Sequence, residues 1–531
     1  MQTIRIFLTT TLIALLACAC VEKPDSGPQG GGGDEPGGDT PAEKAEDLEF
    51  TSFRISPDAN DRIYAELNLE ADKQNEMHGV IEYYKTDLSK IVVSFESNAA
   101  RVTVAGKEQR SGVTANDFSG ASGVTYRLHT PKGDYKEFRV RLENKAYTGI
   151  PLVVIRTDGN KPVDSKEIWR PGSMKIDRQT EDCAEFGGKI EIKGRGNNTW
   201  AKEKKPYAIK LAEKSEIMGM PKQKRWVLLA NASDRTLLRN RAAFEIGKMT
   251  SLAWTPDTRF VNVILNGRFL GNYLLGEQIR IDKNRVNITE MGADDLSGDA
   301  VTGGYLIEVD RYYDEPDNAK FMSAYADLPF MLKNPDADAI QPKQMEYIRN
   351  YVNNVEKLLY AGEQVDARYK DSIDVRSFAD WWIVHELAHN TDATLPGSCY
   401  MHKDRLGKLF AGPIWDFDLA TFKESFDFKD MNAMWYGRLF TDPSFRKLVQ
   451  ERWTALKPSF ETIPAFIDRE ADYLAASAEQ NWSMWTIDGN YNQDESLPWR
   501  EAVEKMKKNY ASRLQWMDGK ISSPDWLDAG N

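Results

Sequence analysis

Four short segments carry residue types that could do chemistry. Ile414-Trp415-Asp416-Phe417-Asp418-Leu419 sets two carboxylates two residues apart in an apolar stretch. Buried carboxylates are costly unless something pairs with them, and a divalent cation bridging phosphates is a natural partner. Asn390-Thr391-Asp392 lies 24 residues before Asp416. Gly194-Arg195-Gly196 ends a strand-like run, KIEIK, and leads through Lys202, Lys204 and Lys205 into a second run carrying Lys210. Glycines beside an arginine let backbone amides approach an anion, and the lysines add point charges for phosphate. The fourth segment, His385-Glu386-Leu387-Ala388-His389, is a literal HExxH, in which two imidazoles one helical turn apart can grip Zn²⁺ while the glutamate activates water. The longer zinc-protease signature does not continue. Asp392 and Leu395 stand where Gly and His would, and Asp392, His402 and Glu424 are the remaining third ligands.

These segments need elements to hold them. Residues 47–147 read as short strands rich in β-branched and aromatic residues, broken by Gly, Asn and Asp, at the spacing of a small β-sandwich. They contain no cluster of catalytic residue types and are expected to be an immunoglobulin-like spacer or binding module. Residues 148–525 are mixed, with strands first and helices dominating after about residue 341. YIRNYVNNVEKLLYAG and the stretch from Val375 to His389 have helical spacing. The segment CYMHKDRLGKLFAG supplies a hairpin between Asp392 and Asp416. A glycine turn, a strand lysine, a loop aspartate and a second aspartate beyond a hairpin are the parts with which kinases hold a nucleotide.

The composition bounds the classes. Of 531 residues, 41% are hydrophobic, with 14 Trp, 21 Tyr and 22 Phe, enough to fill a large core. Lys plus Arg total 69 against 81 Asp plus Glu, a net charge of -12, which excludes a general nucleic-acid coat. Four cysteines are too few for a disulfide scaffold.

The first residues carry Arg5 and an apolar run from Ile6 to Ala17, the length of a signal-peptide core. Leu15-Leu16-Ala17-Cys18 resembles a bacterial lipobox, so residues 1–17 are expected to be removed and Cys18 acylated, with Cys20 the alternative. Residues 18–46, rich in Gly and Pro, would be a flexible tether. The expected location is extracytoplasmic, on the outer membrane or cell surface, with the lipid anchor as the membrane contact. Cys183 and Cys399 would then meet an oxidising compartment, paired or separately buried.

GRGNNTWAKEKKPYAIKL, RWVLLANASDRTLLRNRAAFEIG, VNVILNGRFLGNYLLGEQI, GGYLIEVD, ELAHNTDA and GPIWDFDLA together resemble the CotH family, secreted protein-kinase-like proteins named from a spore-coat kinase. The resemblance spans roughly residues 150 to 430. It implies an α+β fold, an atypical protein-kinase-like domain with a helical C-terminal lobe. It also implies transfer from ATP, with Mg²⁺ or Mn²⁺, to Ser or Thr of an extracytoplasmic protein substrate. By the resemblance Asp392 would orient the substrate hydroxyl, and Asp416 and Asp418 would hold the metal. Arg195 would sit at the nucleotide, Lys205 or Lys210 would contact phosphates, and Glu277 would position the lysine. Asp234, Arg239 and Asn240 would brace the site. Gly397 stands where an ordinary kinase has its second metal-binding Asn, so a second metal would need other ligands such as Asn390. The rival readings are an HExxH zinc metalloprotease and a non-catalytic surface-binding or adhesion protein on the same fold.

Overall fold

The computed structural model describes residues 41–178, 185–394, 396–487 and 489–528. Cys18, Cys20 and Cys183 lie outside the described residues.

The N-terminal module has two main sheets. Phe50–Ile55 pairs with Leu67–Asn68 and Ser94–Ser97, and a five-stranded sheet is centred on Tyr135–Asn144 and Val124–His129. Phe138, Val140 and Leu142 alternate with more exposed neighbours, so one face enters a core shared with Phe53 and Ile55 of the other sheet.

The module is joined to the next unit by polar contacts as well as packing. Asp177, 1% exposed, accepts from the Tyr83 hydroxyl at 2.8 Å and from the Tyr64 hydroxyl. The Lys145 ammonium lies 3.8 Å from the Phe269 ring centre. Tyr83 also packs with Leu152, Val154 and Ile264.

Seven strands then close into a barrel, in the order Leu152–Thr157, Arg170–Asp177, Phe186–Gly194, Tyr207–Ile217, Met220–Leu229, Arg268–Glu277 and Thr258–Leu265. The last pairs in parallel with the first. Strand alternation gives the barrel two apolar faces. Trp226 and Leu228 enter the barrel core, while Val227 and Leu229 join the larger core shared with the helices.

Beyond the barrel, Tyr305–Val309 lies central in a five-stranded sheet, with Pro329–Asn334 and Lys320–Met322 on one side and Cys399–Lys403 and Leu409–Ala411 on the other. The expected hairpin is the last pair, Met401 opposite Ala411. The helix Pro342–Tyr360 starts on a proline behind a Gln341 capping box, which satisfies its first amides. Val375–Leu387 is capped by Asp374 and buried at every residue from Ser377 to Leu387, as an apolar helix with no solvent face must be. Its Asp380 takes two hydrogen bonds from Arg452, at 2.7 and 2.8 Å, fixing it to the helix Pro443–Phe460. Ile463–Met484 and Trp499–Ile521 complete the helical part. The fold is α+β, sheet-rich first and helical later. No helix among the described residues is long and apolar enough to cross a membrane.

Asp177→Ala should leave two phenol hydroxyls without their acceptor, at about 1–3 kcal/mol for each that stays buried. The measurement is the urea midpoint of the transition that reports the module. An unchanged midpoint would show that apolar packing alone holds the joint.

Candidate functional site

A cleft of about 680 Å³ opens between the barrel, the five-stranded sheet and the loops around Asp392 and Asp416. On the barrel side it is walled by the glycine turn. A Cβ on Gly194 would lie 2.3 Å from the Trp200 ring, and Gly196 has φ +81° with Thr199 Oγ1 against the same position. Both positions therefore need glycine, and the turn that results brings Arg195 to the cleft with its guanidinium 5.6 Å from the Trp415 ring centre.

The floor is the Trp415–Asp418 segment. Asn240, at the start of the helix Arg239–Lys248, accepts the Phe417 N–H at 2.7 Å. Asn492 donates to the Asp418 carbonyl at 3.1 Å and accepts from the Thr421 N–H at 3.1 Å. Asp416 takes the left-handed conformation, φ +63°, and its side chain opens on the cleft. Asp418 is 5% exposed. The two carboxyl groups are close enough for each to perturb the ionisation of the other. Burial, then the charge of Asp416, pushes Asp418 well above the usual carboxylate range. Burial also raises Asp416, with Asp392 and Asp310 adding and Arg195 opposing. The upward push is stronger on Asp418, since cleft water reaches Asp416.

Asp392 faces the same cleft. Its Oδ1 accepts from Arg311 at 2.7 Å, and its backbone N–H donates to Asn390 Oδ1 at 3.1 Å. The Asn390 amide nitrogen lies 3.3 Å from His385 Nδ1. Lys333 completes the wall, 2.9 Å from Glu308 and 2.7 Å from Glu315. Against the desolvation of burial, these two carboxylates hold its ammonium charged above the usual lysine range.

The glycine turn, the loop aspartate and the aspartate pair thus converge on one space. A family model described as CotH kinase protein matches residues 190–517. The chain belongs to the CotH family. A comparison with curated proteins finds no match.

Within this CotH chain several sequence expectations are corrected. Lys205 does not line the cleft, because its ammonium donates back to the Trp200 carbonyl at 2.7 Å. Lys210 is taken by its cross-strand partner Glu191, also at 2.7 Å, and does not line the cleft either. Glu277 lies outside it too, accepting the Asp257 N–H at 3.0 Å with the Arg285 guanidinium 3.6 Å away, so it positions no lysine. The cations that do reach the cleft, besides Arg195, include Lys193, Lys202, Arg311 and Lys333. Lys193 was legible as the last residue of KIEIK beside the turn. Arg311 had no local signal. Asn390 has both ends of its amide engaged and does not line the cleft.

The zinc reading fails on geometry. The helix ends at Leu387, and His389 lies beyond it with φ +49°, so the two imidazoles are not on one helical face. His385 stacks on Trp381 at 3.6 Å. Glu386 is held by Arg513 at 2.6 Å and by the Asp430 N–H at 2.6 Å, leaving it unable to serve a bound water. No group of three or more His, Cys, Asp or Glu among the described residues is arranged to hold a metal.

The HExxH residues are instead a buried polar cluster with a definite pH signature. Burial and the charge of Asp430 raise Glu386 to about 8, and burial raises Asp430 to about 7. Burial lowers His385 to about 3, and the same, with Arg513 and Lys423 adding, lowers His389 to about 3. A raised carboxyl makes the folded state hold extra protons, so its stabilisation is lost as pH rises towards the folded value. The histidines act the other way, but only below their ordinary 6.5. Between pH 6.5 and about 8 the carboxyls act alone within this cluster. Stability should fall across that window, and Asp430→Asn should reduce the fall by roughly 1–2 kcal/mol. Urea midpoints of both proteins at pH 6.5 and 8 measure it; equal slopes would refute the assignment.

Proposed function

We propose that this CotH chain is a kinase that moves the γ-phosphoryl group of ATP to a Ser or Thr hydroxyl of an extracytoplasmic protein. The observation that carries the reading is the meeting of Asp392 with Asp416 and Asp418 in one cleft, opposite the Arg195 turn. The barrel acts as the nucleotide-binding lobe and the sheet and helices as the second lobe. Family membership supports a kinase-like protein.

Arg195, Lys193 and Lys202 orient the phosphates from the barrel side. Asp416 and Asp418 would hold Mg²⁺ or Mn²⁺, and the hard oxygen donors and their unmet negative charge fit such an ion. When bound, the metal neutralises charge on the phosphate oxygens. Asp392, fixed through its backbone by Asn390, takes the proton of the acceptor hydroxyl as general base. The cleft walls bring acceptor and phosphate together, which lowers the entropic part of the barrier. Acylation of Cys18 would keep the domain on an outer membrane or cell surface, and residues 18–46 would give it reach.

Full-length protein incubated with radiolabelled ATP and Mn²⁺ should transfer label to itself or to an added protein. Asp392→Ala should lower the rate by about 10²–10⁴ while nucleotide still raises the melting temperature. Asp416→Ala should lose both transfer and that rise. Absence of label and of any nucleotide-induced rise in the wild type would refute the kinase reading and favour a binding protein.

A further inference from the structure

Asp392 has no cation in its own loop. The residues that follow it are Ala393, Thr394, Leu395, Pro396, Gly397 and Ser398. The positive charge beside it comes from another strand. Arg311 lies two residues past Tyr305–Val309 and 81 residues from Asp392, with Nη2 2.7 Å from Asp392 Oδ1.

That contact is built from both ends. The Arg311 N–H donates to the Pro396 carbonyl at 2.9 Å. The neighbouring Asp310 carboxylate accepts the Tyr312 N–H at 2.8 Å and the Ser398 N–H at 2.9 Å, so it ties the two loops together. Gly397 leaves the space the pair needs. A Cβ there would lie 2.6 Å from Arg311 Nη1 and 2.7 Å from Asp392 Oδ2. The Arg311 side chain is 32% exposed and lines the cleft. It carries five N–H donors, more than one carboxylate oxygen uses.

We propose that Arg311 is the cation of the transfer step: it holds Asp392 by Oδ1 and turns its remaining N–H groups on the transferring phosphoryl group. The proposal rests on the kinase reading. In the step, the acceptor oxygen forms a bond to the γ-phosphorus as its proton passes to Asp392 Oδ2. The bond from that phosphorus to the bridging oxygen breaks, and the electron pair leaves with ADP. Charge on the equatorial oxygens is met by Arg311 from the acceptor side, while Arg195 faces them from the barrel. Fixing Oδ1 on the guanidinium leaves Oδ2, over Gly397, for the hydroxyl.

The test uses full-length protein with ATP and Mn²⁺, measuring kcat, the nucleotide Kd and the melting temperature. Arg311→Ala should lower kcat by about 10²–10³, the usual loss for one preorganised donor, and leave Kd within about threefold. Arg311→Gln, which can still donate to Asp392 but carries no charge, should be equally slow. Arg311→Lys should recover at least about tenfold, and added guanidinium ion should accelerate the Ala variant. The Gln and Lys variants carry the test if the Ala variant does not fold. A Gln variant within about threefold of wild type, or a loss confined to Kd, overturns the proposal and leaves the kinase reading intact. Absence of transfer by the wild type overturns both.

Discussion

Two acidic side chains held together at the floor of a cleft are the constraint on which the rest depends. Asp418 is nearly inaccessible, and its ionisation is opposed by burial and by the neighbouring Asp416. Two carboxyls so close repel when both are ionised, and a cation between them would relieve that repulsion. The fold resists any rearrangement that would expose the pair. Asn240 and Asn492 hold the backbone on either side, and both belong to elements far away in sequence. Behind them the fully buried Arg239 joins Asp234 and Asp494 and donates to the Thr421 carbonyl at 3.1 Å. One guanidinium thereby fixes the barrel loop, a C-terminal loop and the chain that follows the aspartate pair. A buried ion network of this kind contributes little net stability against an apolar replacement, but losing one member is expensive. Its value here is geometric: it sets where Asp416 points.

The same logic explains the histidines. His385 is neutral at any ordinary pH because burial keeps the proton off. A neutral Nδ1 can accept from the Asn390 amide, and Asn390 in turn accepts the Asp392 N–H. The glutamate of the motif anchors Arg513 of the last long helix. What reads as a zinc motif is a brace that ends one helix, secures another and orients the loop aspartate.

The legible parts of the sequence were the contiguous ones. Glycine turn, loop aspartate, hairpin and aspartate pair each announce themselves within a few residues, and all four meet around one cleft or lead into it. Lys210 points away because strand side chains alternate, and Lys205, in the loop before that strand, turns back on the Trp200 carbonyl, so residue type alone says nothing of direction. Lys204, expected with its neighbours to meet phosphate, is the buried one. Its ammonium donates to the Ala230 carbonyl and to Asn481 Oδ1, both at 2.8 Å, which makes it part of the frame. Arg311 has no local signal because its partner lies 81 residues away, and the pairing of Tyr305–Val309 with Cys399–Lys403 brings the two loops together.

That pairing also accounts for Gly397. Read against ordinary kinases, the residue looked like a missing metal ligand. In the structure the space a side chain would fill is occupied by the Arg311–Asp392 ion pair. An asparagine could not stand there without pushing one partner away. The position serves close packing of a cation against the loop aspartate. With Asn390 also engaged, the aspartate pair is where the proposed reaction would place a cation. On the proposed kinase reading, a nucleotide's phosphates and water would supply the other oxygen donors of such a cation.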